Sequence, residues 1–292
     1  MQSAYGLRKD VADMIDLHVH STYSDGTLSP EELVSLAENL DLTAVALCDH
    51  NTVAGLPAFL AAADGKKLEA IPGMELSTDY HGTELHILGL FVAPEYYAAV
   101  MEKVNWMLVQ KEQSNRNLVE ALKPAGIVLD YEAIRAGTPN GQVNRAVIAA
   151  EMVRLGYCDT VKDCFKLWLS QKRGYYIPPM RLDVFEAIGF IKSIGAVAVL
   201  AHPFLNLEED SLRQFLKEAV PYGLDAMEVY YPKFTPEQTE SACQIAREFG
   251  LAFSGGSDFH GENKPDTRMG TGRGTLCVPE MLLDTLKSLK EN

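Results

Sequence analysis

Residues that can bind metal ions recur along this chain in a regular way. His18 and His20 stand two apart in DLHVHSTYSDG, residues 16–26. A spacing of two places both imidazoles on the same side of a β-strand, where they can bind one ion. The pair alone is equally consistent with two packed rings, so its interpretation depends on what the rest of the chain supplies.

Further candidate ligands stand at or near the ends of the other predicted strands. The set comprises His18, His20, Asp49, His50, Glu75, His86, His202, Asp258 and His260, which includes six of the seven histidines. In a (β/α) barrel the functional groups converge at the carboxyl ends of the strands, so residues distant in sequence meet at one mouth. We therefore predict a shared metal centre. We interpret His81 as a solvated turn residue.

Short apolar runs alternate with amphipathic helical stretches, a pattern typical of strands joined by crossover helices around a parallel sheet or barrel. Ser29, Pro30 and Glu32 predict the capped start of a helix that runs to about residue 40. The seven predicted strands are residues 14–20, 43–50, 68–77, 84–92, 196–203, 225–231 and 251–258. The fold class is thus α/β.

The alternation breaks between residues 95 and 180, where helical segments dominate. They are predicted at 95–122, 142–155 and 160–169. We expect residues 14–94 and 181–292 to form the barrel, and residues 95–180 to form an inserted helical lobe that recognises the substrate. Residues 1–13 are interpreted as a loosely held N-terminal extension.

Composition narrows the function classes. The formal net charge of -14 argues against an extended footprint on nucleic acid, which needs clustered Lys and Arg. The chain has neither an apolar run long enough for a membrane span nor an apolar signal segment, so we expect a cytoplasmic protein. Its five cysteines lack CxxC spacing, which disfavours a disulfide framework.

Several motifs together resemble the PHP family, named for polymerase and histidinol phosphatase. They are HVHSTYSDG (18–26), ALCDHNT (46–52), PGMELS (72–77), LHILGL (85–90), AHP (201–203) and GGSDFHG (255–261). The motifs follow the family's order over nearly the whole chain. The resemblance is strongest to stand-alone phosphoesterases that act on nucleotides and short oligonucleotides. It implies a distorted seven-stranded barrel that holds three metal ions.

The resemblance also implies a ligand set. His18, His20, Glu75 and Asp258 would hold the first ion, and Glu75 would bridge to a second bound by His86 and His202. Asp25, His50 and His260 would hold the third. Imidazole and carboxylate ligands together suit Zn, Mn or Fe(II). Three divalent ions against three carboxylates leave about three positive charges to attract a phosphate.

Such ions lower the pKa of bound water and stabilise the attacking and leaving oxygens, so we expect a metal-bound hydroxide as the nucleophile. Asp16 and Asp49 stand near ligands, and we predict that each orients a metal-bound imidazole, although Asp49 could instead cap a turn. A water or a ligand histidine such as His202 could supply the leaving group's proton.

Basic residues of the predicted lobe are candidates for substrate binding. Arg145, in NRAVIA, stands where the family places a phosphate-binding arginine, although the family's neighbouring glycine, proline and histidine are absent. Lys172 and Arg173 loosely match a basic loop, and Arg268 precedes a GTGRG turn. The alternative for Arg145 is a solvated helix residue. Tyr230 and Tyr231 could stack a base, or simply pack at the rim.

We therefore predict a phosphoesterase that removes a phosphate from a small phosphorylated substrate, most simply a nucleoside 3',5'-bisphosphate or nucleotide, and by extension from the 5' end of short oligonucleotides. A histidinol phosphatase is the alternative within this class. A non-catalytic metal-binding module and an amidohydrolase are the alternatives outside it. No lysine ends a predicted strand, which disfavours the amidohydrolase.

Overall fold

Seven strands form a nearly closed barrel in the computed structural model, which describes residues 14–138, 141 and 143–290. The extension predicted for residues 1–13 lies outside the described residues. The strands are β1 Ile15–Val19, β2 Ala44–Leu47, β3 Glu69–Tyr80, β4 Thr83–Leu90, β5 Leu182–Asp183, β6 Val197–Leu200, β7 Ala226–Tyr230 and β8 Ala252–Gly255. The barrel order is β1-β2-β3-β4-β6-β7-β8, and the two-residue β5 pairs with β3 outside this path.

The distortion of the barrel originates at β4, which runs antiparallel to both β3 and β6. A two-residue turn, His81 and Gly82, joins β3 to β4 with φ of 51° and 85°. Positive φ at both central residues is the requirement of a tight hairpin turn whose twist matches that of the strands. His81 is exposed in this turn, as predicted.

The barrel closes where the segment after β8 meets β1. The backbone N–H of Asp258 donates to the His18 carbonyl at 2.8 Å, and that of His20 donates to the Phe259 carbonyl at 2.9 Å. These two bonds tie the last candidate ligands to the first ones through the backbone.

Ten α-helices lie in the described part of the chain, and most of them connect strands. They are α1 Pro30–Asn39, α2 Leu56–Ala63, α3 Tyr97–Leu122, α4 Tyr131–Ala136, α5 Arg145–Arg154, α6 Val161–Cys164, α7 Val184–Ser193, α8 Glu209–Ala219, α9 Pro236–Glu248 and α10 Met281–Lys290. The predicted capping box of α1 is confirmed, because Ser29 and Glu32 exchange side-chain and backbone hydrogen bonds. None of the helices in the described ranges is long and apolar enough to cross a membrane.

The hydrophobic core follows the period of two in the strands. In β2, Val45 and Leu47 pack in one cluster with the helices, whereas Ala44 and Ala46 pack in a second cluster that includes side chains of α10. Because neighbouring side chains point to opposite faces, each of the seven barrel strands contributes to both clusters.

A third hydrophobic cluster lies apart from the barrel, in α3 to α6 and the segments between them. Leu118, Leu122, Ile148 and Met152 are fully buried in it. The amino-terminal half of α3 packs instead on the main core, through Val100 and Val104. We propose that residues 95–180 form the inserted lobe, with α3 shared between the lobe and the barrel.

Candidate metal centre and substrate cleft

Six histidines and three carboxylates meet at one mouth of the barrel. His18 lies within β1 and His20 just after it, and both are fully buried. His86 reaches the same mouth from the beginning of β4, because that strand runs antiparallel and pairs with the carboxyl end of β3. His202 and His260 follow β6 and β8. The residues expected to be ligands are therefore brought together.

Glu75 lies at the centre of the cluster and contacts five imidazoles. One carboxylate oxygen, Oε2, lies 3.3 Å from His18 Nε2, 3.2 Å from His20 Nε2 and 3.0 Å from His50 Nδ1. The other, Oε1, lies 2.7 Å from His86 Nδ1 and 3.1 Å from His202 Nε2. A carboxylate in this position can bridge two ions.

The other two carboxylates complete separate groups of ligand atoms. Asp258 Oδ1 lies 3.4 Å from His20 Nε2, and Asp25 Oδ1 lies 3.2 Å from His260 Nε2 and 3.8 Å from His50 Nε2. His20, Asp25, His50 and His260 offer atoms within 4.8 Å of one another, as do His18, His20 and Asp258. His18, Glu75 and His202, and also His50, Glu75 and His86, form two further such groups.

The geometry of these atoms fits metal ligation better than hydrogen bonding. Three buried atoms at the centre, His50 Nδ1, Glu75 Oε2 and His260 Nε2, have no hydrogen-bond partner in the described part of the chain. Bonds of about 2.0–2.1 Å to one ion place its ligand atoms about 3.0–3.4 Å apart. His50 Nδ1 lies 3.0 Å from Glu75 Oε2, and His260 Nε2 lies 3.2 Å from Asp25 Oδ1. Unpaired buried polar atoms are costly, and bound cations would satisfy them.

The electrostatics keep the carboxylates in the ionised form that ligation needs. Burial alone would raise the pKa of Glu75, but the imidazoles of His50, His86 and His18 hold it well below its usual range. Burial acts in the same direction on Asp258, and His20, His18, His260 and Lys264 lower the pKa of that carboxyl below the usual range. Both groups are thus ready to bind cations at neutral pH.

Two ligand positions have a strained backbone. His202 has φ 30° and Asp258 has φ 54°, in the left-handed region that side chains rarely occupy. Such residues persist where the surrounding structure fixes them, and they concentrate at functional sites. The backbone N–H of His202 is held by the Glu228 carboxylate at 2.7 Å.

Outside the candidate ligand set, the carboxylate that contacts the ring of His18 is Glu228 rather than Asp16 or Asp49. Glu228 Oε1 lies 2.9 Å from His18 Nδ1, and both side chains are fully buried. This contact leaves His18 Nε2 free to face the cluster, so Glu228 has the orienting role that was expected of the two aspartates. Sequence reasoning missed Glu228, although a charged residue inside the apolar strand DAMEVYY is a signal that could have found it.

Asp16 and Asp49 organise the backbone and the hydroxyls around the cluster. Asp16 accepts hydrogen bonds from the backbone N–H groups of Ser257 at 2.8 Å and Gly270 at 2.7 Å. Asp49 accepts from the hydroxyls of Ser21 and Ser24, each at 2.6 Å. Each carboxylate sits beside donors from neighbouring loops, which is why neither reaches an imidazole ring.

Tyr231 and Lys264 hold the second oxygen of Asp258. The Tyr231 hydroxyl donates to Asp258 Oδ2 at 2.8 Å, and Lys264 Nζ donates to the same oxygen at 2.7 Å. Tyr231 is buried, so its hydroxyl orients a candidate ligand, whereas Tyr230 packs against the hydrophobic core. The sequence left open whether these two rings stack a base or pack at the rim. The observed contacts do not support base stacking.

A cleft of about 390 Å³ separates the cluster from the lobe. His50, His86 and His260 of the cluster and Arg145 of α5 all line it. Arg145 is the first residue of α5, and its guanidinium lies 4.0 Å from the centroid of the Tyr176 ring. It also donates to the Leu169 carbonyl at 3.3 Å. The predicted substrate residue Arg145 therefore does face the cluster.

The other three predicted substrate residues do not line this cleft. Lys172 and Arg173 lie in a short turn that ends at Gly174, with exposed side chains, and Arg173 donates to the Lys166 carbonyl. Arg268 is exposed and its backbone pairs with Gly272, which closes the GTGRG segment into the expected turn. A basic residue that sequence reasoning overlooked, Arg181, lies in the cleft and pairs with Glu84 at 2.6 Å.

Comparison with known proteins identifies the family. The family model of the PHP domain matches residues 16–177. A 5'-3' exoribonuclease of Haemophilus influenzae is 35% identical over 250 residues, which cover 84% of this chain and 89% of that protein. A 3',5'-nucleoside bisphosphate phosphatase of Chromobacterium violaceum is 26% identical over 271 residues, which cover 91% and 94%.

A solved structure agrees with this result. A metal-dependent phosphoesterase from Bifidobacterium adolescentis matches with a TM-score of 0.83 and 27% identity, over 95% of this chain and 96% of that one. The fold, the ligand-bearing mouth and these relatives lead to one conclusion. The chain belongs to the PHP domain family and is a metal-dependent phosphoesterase.

Proposed function

We propose that this enzyme removes a phosphate from a nucleotide that carries a second phosphate, such as a nucleoside 3',5'-bisphosphate. The observation that carries the proposal is the position of Arg145. It faces the metal centre across the cleft, and none of the described residues gives it a carboxylate partner. An arginine stacked on an aromatic ring and free of counter-ions is suited to bind a phosphate through two parallel hydrogen bonds.

We propose further that the centre holds three divalent ions, of Zn, Mn or Fe. His18, His20, Glu75 and Asp258 would hold one, Glu75, His86 and His202 a second, and Asp25, His50 and His260 the third. When bound, such ions lower the pKa of water and neutralise charge on the phosphoryl oxygens. The groups of ligand atoms described above support the first and third sites, whereas for the second site His86 and His202 each group with Glu75 but in separate groups.

Residues of the protein orient the candidate metal ligands and select the substrate. Glu228 fixes the ring of His18, while Tyr231 and Lys264 fix Asp258, so the ligands keep their geometry when substrate enters. Arg145 holds the phosphate that is not cleaved. His202 Nε2 faces Glu75 as a ligand atom would, and an unprotonated ligand nitrogen has no proton to give, so we assign the leaving group's proton to water.

A second candidate function is removal of nucleotides from the 5' end of short RNA. A second cavity, lined by Tyr231, Lys233 and Lys264, shares His50 and His86 with the cleft. We propose that an RNA chain whose 5' nucleotide lies near Arg145 would continue into this second cavity. The exoribonuclease relative favours this candidate, and the phosphatase relative favours the first.

A screen of metal-loaded protein that measures both inorganic phosphate and the mononucleotides released from RNA tests both candidates. The panel contains a nucleoside 3',5'-bisphosphate, a 5'-phosphorylated short oligoribonucleotide, histidinol phosphate and p-nitrophenyl phosphate. We expect the bisphosphate or the oligoribonucleotide to have the highest kcat/KM. Preferential hydrolysis of histidinol phosphate would replace the proposal with the rival phosphatase, and no release from any substrate would favour a non-catalytic metal-binding module.

A further inference from the structure

Lys111 lies on α3 at the point where the lobe meets the barrel. Met107, Lys111 and Asn115 are spaced four residues apart and therefore share one face of the helix. All three line the cleft, and both neighbours are almost completely buried. Asn115 is also fixed by a hydrogen bond to the Val143 carbonyl at 2.9 Å. The direction of the Lys111 side chain is thus set by well-packed residues on either side.

Lys111 has no ion pair within the described ranges, in contrast to other basic residues nearby. Arg181 pairs with Glu84 at 2.6 Å, and Arg116 pairs with Glu112 at 2.9 Å. Burial lowers the pKa of Lys111, while the charges of Asp25 and Glu84 oppose that shift. Each of these two carboxylates already contacts histidines of the centre. A partly buried ammonium group without a counter-ion of its own faces the metal centre.

We propose that Lys111 acts with Arg145 as a second binding residue for the phosphate that is not hydrolysed. The two cations belong to the proposed lobe and line one cleft together with His50, His86 and His260 of the centre. A phosphate between them would supply the counter-ion that Lys111 lacks, and a charge-assisted hydrogen bond would form. The inference rests on the proposed function, since it assigns a residue to the same substrate.

Direct binding tests the inference independently of turnover. Metal-loaded wild type and Lys111→Met are titrated calorimetrically with a non-hydrolysable bisphosphonate analogue of adenosine 3',5'-bisphosphate, and separately with inorganic phosphate. We expect the variant to bind the bisphosphate 10- to 100-fold more weakly, as for loss of one charged hydrogen bond, with binding of inorganic phosphate within twofold of wild type. Lys111→Arg should recover most of the affinity. Lys103→Met, on the same helix but outside the cleft, is the matched control and should match wild type.

The outcomes separate this inference from the proposed function. If wild type binds the bisphosphate no better than inorganic phosphate, the proposed substrate is wrong and the inference falls with it. If wild type prefers the bisphosphate and Lys111→Met leaves that preference unchanged, only the inference is refuted. A proportionate loss for both ligands would also refute it, because Lys111 would then act on the centre as a whole. If the Met variant does not fold, the comparison passes to Lys111→Gln.

Discussion

Replacing Glu228 by glutamine tests how the protein prepares His18 for its ion. The two carboxylate oxygens lie 2.9 Å from His18 Nδ1 and 2.7 Å from the backbone nitrogen of His202. A carboxylate can accept from both N–H groups, whereas an amide has one oxygen and therefore loses one bond in either orientation. The amide NH₂ then faces a donor within a fully buried site.

Both orientations of the glutamine should weaken metal binding. If its oxygen stays on His202, the NH₂ group forces His18 into the tautomer that carries its proton on Nε2, the atom that faces the cluster. If its oxygen turns to His18, the strained backbone at His202 loses its hydrogen bond. Loss of an orienting carboxylate typically lowers metal affinity about 10- to 100-fold, equivalent to about 1.4–2.7 kcal/mol.

Competition with a chromophoric chelator measures that affinity, and elemental analysis counts the ions retained. Glu218→Gln is the matched control, because that carboxylate also accepts a hydrogen bond, from the Tyr80 hydroxyl at 3.0 Å, but lies outside the cluster. We expect the control to bind metal like wild type. A folded Glu228→Gln protein with affinity within twofold of wild type would refute the orienting role.

Three further predictions follow from the same contacts. Arg145→Ala should raise KM for a nucleoside bisphosphate by an amount equivalent to about 1.5–3 kcal/mol of binding free energy, and should barely change KM for p-nitrophenyl phosphate. Steady-state kinetics measures both, with the exposed Arg173→Ala as the control. Equal effects on the two substrates would show that Arg145 does not recognise the second phosphate. Tyr231→Phe removes one hydrogen-bond donor from Asp258 and should lower kcat/KM about 5- to 10-fold at unchanged KM. A wild-type rate would instead show that Lys264 alone is sufficient to orient Asp258. Although burial lowers the pKa of His86, the adjacent Glu75 raises it to about 10 in the metal-free protein. His86 is therefore protonated at pH 7 and must lose that proton on ligation. The same holds for His18 and His20, because burial lowers the pKa of each ring but neighbouring carboxylates raise it more. Mn affinity should therefore rise by about tenfold per pH unit for each proton released between pH 6 and 8; calorimetry that finds no pH dependence and no proton release would contradict this.

The metal centre could be predicted from sequence because its residue types are rare and their positions regular. Six of seven histidines lie within or shortly after strands, and strands of one barrel deliver their ends to one mouth. The antiparallel course of β4 changes where His86 stands on its strand but not the mouth that it reaches.

The residues that surround the candidate ligands and line the cleft were harder to predict from the sequence. Glu228 is one acidic residue among 40, and only its neighbours in the strand mark it as buried. Lys111 lies in a polar helix that carries no motif. Lys172 and Arg173 matched a family loop, yet the local turn directs them to solvent, because side-chain direction depends on backbone geometry that a loose motif does not specify. The two-residue β5 is too short to leave a periodic signal.

Helix α3 runs without interruption through 26 residues, a length of about 39 Å, from the barrel core into the core of the lobe. This continuous helix connects the barrel to the lobe, so the lobe cannot rotate about a flexible hinge at this point without bending α3. For the proposed substrate, this helix should hold the distance between the lobe and the metal centre nearly constant. Molecules whose two phosphates are spaced too far apart or too close together should therefore be poor substrates.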